Sequence, residues 1–89
     1  MPKVIITHDV ADVETWLNGK ADRAEAVGTM GGSNVVDHVA HDGSNRIAIS
    51  VDAEDVDALM AAVGSPTPEL AAKMQEHGVI PPLTVYVER

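Results

Sequence analysis

Among the residues of this 89-residue chain, the four histidines His8, His38, His41 and His77 are the ones suited to proton transfer near neutral pH. His8 ends a β-branched run and is followed by Asp9, so it reads either as a general base oriented by a carboxylate or as a loop histidine near a helix start. His38 lies among aliphatic residues. If Asp42-Gly43 makes a two-residue turn, His38 falls opposite Ile47 and shares a face with Val36 and Ile49. There it is a hydrogen-bonded core residue or a polar group in a pocket. A one-residue change in the loop turns it to the other face and puts Asp37 in its place. His77 precedes Gly78 and reads as a helix C-terminal cap, where a cation suits the dipole. His41, beside the hairpin turn, reads as solvated.

No third ligand accompanies His8 and His38, so no metal is assigned. Asp52, Glu54, Asp55 and Asp57 lack the spacing and the glycine of a calcium loop, and they suit the positive end of a helix. The chain has no Gly-x-Ser-x-Gly elbow, and Gly28 to Gly32 carries no phosphate or dinucleotide pattern. No cofactor is assigned. Trp16, Met60 and Tyr86 are the candidate walls of an apolar pocket beside His38. With no phenylalanine and only one tryptophan and one tyrosine, that pocket suits a small apolar ligand better than a polycyclic aromatic one.

Six basic against fourteen acidic residues give a net charge of −8, which repels phosphate backbones and anionic lipid. Nucleic-acid and membrane binding are therefore not expected. Without cysteine there are no disulfides, thiol nucleophiles or thiolate metal sites. The N-terminal residues lack the pattern of a signal peptide, and no apolar run approaches a bilayer span. The expected location is cytoplasmic. The length predicts one domain over 1–89 with a modest core, and a hydrophobic fraction of 45% predicts a folded chain.

The elements that must position these side chains follow from periodicity. Lys3 to His8 predicts a first strand. Asp12 caps a helix whose apolar face is Val13, Trp16, Leu17, Ala21, Ala24 and Val27, weakened locally at Asn18 and Gly19. Asn34 to Ala40 and Arg46 to Val51 predict a hairpin around Asp42-Gly43. A second helical region starts near Asp52 to Asp55, is interrupted at Gly64-Ser65-Pro66, and restarts with Thr67 as cap and Pro68 at its first position. Pro81-Pro82 leads into a last strand, Leu83 to Val87. The order β-α-β-β-α-β predicts an α+β, ferredoxin-like fold: a four-stranded antiparallel sheet with both helices on one face. Apolar residues of both parities on the strands predict that the second face is covered too, most simply by a second copy.

Val10-Ala11-Asp12 with Trp16, Arg23 and Gly28, the Asp42-Gly43-Ser44-Asn45 hairpin, Ser65-Pro66, Met74 to His77-Gly78-Val79, and Pro81-Pro82 carry a resemblance. In that order and spacing the chain resembles the dimeric α+β barrel superfamily, and within it the small antibiotic-biosynthesis-monooxygenase-like bacterial proteins. The resemblance implies a homodimer of face-to-face sheets, with a pocket between sheet and helices in each subunit. It does not imply a reaction, because this superfamily hosts many. Haem degradation is set aside, since the single tryptophan lies in the first helix and Asn18, Asn34 and Asn45 do not match that arrangement. Two functions remain: a dimeric ligand-binding or interaction module, or a cofactor-independent monooxygenase or isomerase acting on a small apolar substrate. In the second, His38 or His8 is the base. A cavity into which either histidine points, beside another polar group, favours the enzyme.

Overall fold

The computed structural model describes residues 2–65 and 67–89. The chain runs β1 (Lys3–Val10), α1 (Val13–Asn18), α2 (Lys20–Thr29), β2 (Gly32–Val39), β3 (Arg46–Ala53), α3 (Val56–Gly64), α4 (Pro68–Glu76) and β4 (Val79–Val87). Each expected helical region is a pair of shorter helices, and the β-α-β-β-α-β order otherwise stands. The strands form one antiparallel sheet in the order β2-β3-β1-β4, the ferredoxin-like arrangement.

Period-2 alternation sorts the sheet into two faces. On β1, Val4, Ile6, His8 and Val10 are buried, while Lys3, Ile5 and Asp9 are exposed. On β3, Ile47, Ile49, Val51 and Ala53 point the same way as the buried set. The helices cover this face with two apolar clusters. Val4, Ile6, Val27, Val51, Ala53 and Leu59 fill one end, and Val10, Trp16, Ile47 and Ile49 fill the other.

Side-chain caps start three of the helices where the sequence places them. The Asp12 carboxylate accepts the Thr15 N–H at 3.2 Å and its hydroxyl at 2.6 Å. Thr67 Oγ1 accepts the Leu70 N–H at 3.2 Å, with Pro68 at the first helical position. Asp55 accepts the Ala58 N–H at 3.1 Å, so α3 begins only after Asp55. Asp52, expected at that helix start, belongs instead to β3, where it takes a hydrogen bond from Asn34 and an ion pair from Lys3. Of the Gly64-Ser65-Pro66 interruption, Pro66 lies outside the described residues.

The hairpin corrects the reading of His38. Near its base, Gly32 pairs with Ala53 and Ser33 with Asp52, the register a two-residue turn at Asp42-Gly43 requires. Asn34 then adopts φ 53°, and the ladder shifts: Val36 faces Ser50, Asp37 faces Ile49 and His38 faces Ala48. This is a β-bulge, one extra residue on β2. It is balanced at the tip by a longer loop, in which Gly43 takes φ 80° and Asp42 accepts the Ser44 N–H at 2.9 Å. His38 therefore stands on the face away from the helices, and Asp37 takes the inner position.

That outer face carries no helix among the described residues. Ile5, Val36, Ile80 and Tyr86 are exposed on it, and His38 Nε2 lies 3.1 Å from Ser50 Oγ. No helix among the described residues is long and apolar enough to cross a membrane.

Candidate active site

Beneath the helices, one end of the sheet holds a buried polar cluster contributed by five elements: His8 from β1, Trp16 from α1, Arg23 from α2, Asp37 from β2 and His77 at the end of α4. Arg23 sits at its centre. Its guanidinium lies 4.0 Å from the centroid of the Trp16 ring, a cation–π contact between two buried side chains. It forks onto Asp37, with Nε 3.3 Å from Oδ1 and Nη2 3.0 Å from Oδ2. Nη1 donates to His77 Nδ1 at 3.4 Å. Arginine has no acceptor, so His77 Nδ1 must be unprotonated and Nε2 carries the hydrogen.

The Arg23 and Asp37 side chains are only 9% and 1% exposed, and Trp16 Nε1, fully buried, has no hydrogen-bond partner among the described residues. An unpaired buried donor costs about 1–3 kcal/mol, and a buried ion pair is at best break-even against apolar packing. Stability alone does not account for so much polar burial in a core this small.

His8 stands across the Trp16 ring, edge-on at 6.3 Å between centroids. Its Nδ1–H donates to the carbonyl oxygen of Asp9 at 2.8 Å, which leaves Nε2 as the free basic nitrogen. On the β4 side of β1 the ladder breaks register between Thr7 and Asp9, at this histidine. Burial lowers the His8 pKa below the usual histidine value, and the nearby Arg23 charge adds to the effect; the Asp9 carbonyl and carboxylate oppose it. The ring is therefore neutral at pH 7. The orienting group expected from the sequence was the Asp9 carboxylate. It is the Asp9 backbone carbonyl, because the side chain points to the opposite face and meets Arg46 at 3.9 Å.

His77 is the C-cap residue of α4, as expected, but it does not act as the cation that was expected there. Its ring is buried, and burial followed by the Arg23 charge lowers its pKa, so it offers no cation to the dipole. The cap is made by the backbone, with Gly78 at φ 77°. Gly19, between α1 and α2, gives the ring its space: a Cβ there would lie 2.5 Å from His77 Nε2.

Around the cluster lies a chamber of about 90 Å³ whose wall includes His8, Trp16, Arg23 and His77, with Met30, Met74 and Leu83 among its apolar members. Of the residues expected to form a pocket, Trp16 is on this wall. His38 and Tyr86 border a groove on the outer face instead. Met60 packs partly buried against the first apolar cluster. His8 and His38 lie on opposite faces and cannot share a metal. Arg23, Asp37 and His77 were missed as site residues. The signal for Arg23 was a lone arginine at helical spacing from Trp16, and for Asp37 it was the bulge-forming asparagine upstream.

The sequence matches no family profile and no curated protein. Its fold is matched by solved structures. A candidate antibiotic biosynthesis monooxygenase from Bordetella bronchiseptica aligns at TM-score 0.67 and 19% identity, over 99% of this chain and 94% of that one. A second antibiotic biosynthesis monooxygenase aligns at TM-score 0.66 and 14% identity, over 100% and 97%. A dimeric ferredoxin-like protein from an uncultured marine organism aligns at TM-score 0.62 and 8% identity, over 100% and 93%. From end to end, then, the chain has the ferredoxin-like fold of these antibiotic-biosynthesis-monooxygenase-like structures.

Proposed function

We propose that the chamber is the active site of a cofactor-independent enzyme that removes a proton from a small, largely apolar carbonyl compound, with His8 as the base. The observation that carries this reading is a neutral imidazole of fixed tautomer on the wall of a chamber that also holds a guanidinium. His8 Nε2 takes the proton from the carbon next to the carbonyl, and the electron pair of the broken C–H bond moves toward the carbonyl oxygen. Arg23, immobilised by Asp37, supplies fixed positive charge to the resulting anion in a site of low dielectric. Where the compound has a β,γ double bond, the charge extends to the γ carbon, and return of the proton there gives an isomerase. The neighbours in fold favour a second outcome, as the name monooxygenase implies for them. The same carbanion gives its electrons to dioxygen, a C–O bond forms, and the protonated peroxide loses water with the remaining C–H proton, leaving one oxygen atom on the carbon as a new carbonyl. The enzyme acts as a homodimer joined through the outer sheet face, where Ile5, Val36, Ile80 and Tyr86 are exposed.

Deuterium exchange from solvent into a panel of small ketones, followed by NMR, tests the chemistry. Wild type catalyses exchange, and His8→Gln lowers the rate at least a hundredfold with the fold intact. Because burial lowers the His8 pKa, more than half of the rings are neutral at pH 6.5, and the acid limb of the rate lies below the usual histidine value. An acid limb centred above pH 6.5, or exchange indifferent to His8→Gln, removes His8 from the role and leaves a binding module. Oxygen uptake separates the oxygenase from the isomerase.

A further inference from the structure

The chamber is one compartment of a larger site. A cleft of about 320 Å³ lies between α2 and the α3–α4 segment, and Asp22, Ala26, Met30, Leu70 and Lys73 line both cleft and chamber. The shared residues make the cleft the approach to the chamber. Its floor is apolar, formed by Ala26, Met30, Ala62 and Leu70, and its rim carries Asp22, Glu25 and Glu69 against a single cation, Lys73. Lys73 Nζ is held 3.6 Å from Asp22 Oδ2, both about half exposed, so it is already engaged at the neck.

Volume and charge together define the ligand. An apolar cavity of about 150 Å³ takes one benzene, so the inner chamber takes about four non-hydrogen atoms on the same scale. The remainder of any larger molecule must lie along the apolar floor, with its far end among the carboxylates. We propose that the substrate is an elongated amphiphile: a short reactive end in the chamber, an aliphatic middle on Met30 and Leu70, and an outer head that is cationic or uncharged. Glu25 and Glu69 favour an ammonium head and exclude a carboxylate or phosphate, and the net charge of −8 acts in the same sense at longer range. This substrate class rests on the chamber being the reaction site, and it adds the head group that the inner cluster does not define.

Trp16 is the only tryptophan and lies on the chamber wall, so its fluorescence reports occupancy. Three probes of equal length, hexan-1-amine, hexan-1-ol and hexanoate, differ only in head charge at pH 7. The expected result is saturable change in Trp16 emission with affinity in the order amine, alcohol, carboxylate, the last at least tenfold weaker than the alcohol. In Glu25→Gln/Glu69→Gln the amine loses roughly three- to tenfold relative to the alcohol, the range expected for two solvent-exposed ion pairs. Removing two charges elsewhere, in Glu14→Gln/Glu54→Gln, leaves the ratio as in wild type. Equal binding of the three probes, tightest binding of hexanoate, an amine preference that survives Glu25→Gln/Glu69→Gln, or no saturable response each overturns the proposal. His8→Gln is expected to keep the probe order. A variant that keeps this order while the wild type shows no proton exchange would defeat the proposed chemistry and leave the ligand class standing.

Discussion

Arg23 is gripped on three sides, by the Asp37 carboxylate, the Trp16 ring and the His77 imidazole, and each contact fixes a different property. Asp37 balances its charge, the indole face sets its plane, and His77 accepts from the nitrogen left over. Arg23→Met removes the guanidinium but leaves a carboxylate that is 1% exposed, which costs about 3–5 kcal/mol in urea denaturation. Arg23→Met/Asp37→Leu, which removes both charges, recovers most of that loss. Both variants lose proton exchange, because the anion loses its counter-charge. A double variant as unstable as the single one would mean that the pair is held for packing. Two residues of the site were legible as chemistry before the fold was known: His8, from its titratable ring after a β-branched run, and Trp16, from its place on an apolar helical face. Asp37 was legible only as the alternative to His38, since its burial depends on the Asn34 bulge just upstream, and His77 only as a helix cap, since its burial depends on the space left by distant Gly19.

Gly19 joins two elements and accommodates a third. Its backbone at φ −88° suits any residue, and an alanine there would gain about 0.4–1 kcal/mol by restricting the unfolded chain. The added Cβ would instead meet the His77 ring at 2.5 Å, and overpacking a closed site costs about 1–3 kcal/mol, so the clash wins. Gly19→Ala is expected to lower the melting temperature, and adding His77→Ala to relieve the clash and recover part of the loss. The sequence showed a weakened helix at Asn18 and Gly19 and showed that the second helical region restarts at Thr67 with Pro68; both breaks are present. It could not place β2. The Asp42-Gly43 turn and the Asn34 bulge each move the register by one residue, and only their combination decides whether a carboxylate or an imidazole lies under the helices. Periodicity reports that a strand has two faces without reporting which is which.

At the scale of the whole molecule, the sheet separates two surfaces of different use. Tyr86 is 58% exposed on the uncovered face, on the edge strand β4, and Tyr86→Glu is expected to convert the proposed dimer to monomer in light scattering at micromolar concentration. The same variant should retain the Trp16 response to hexan-1-ol, since Tyr86 lies on the other side of the sheet from the chamber. A wild type that is monomeric at this concentration would refute the assembly. The helices of the described residues lie on the side that holds the cleft, so the route inward opens away from the sheet face proposed above as the dimer interface. Traffic through one subunit need not wait on the other: both doors face outward, and saturation of the pair should follow a simple hyperbola.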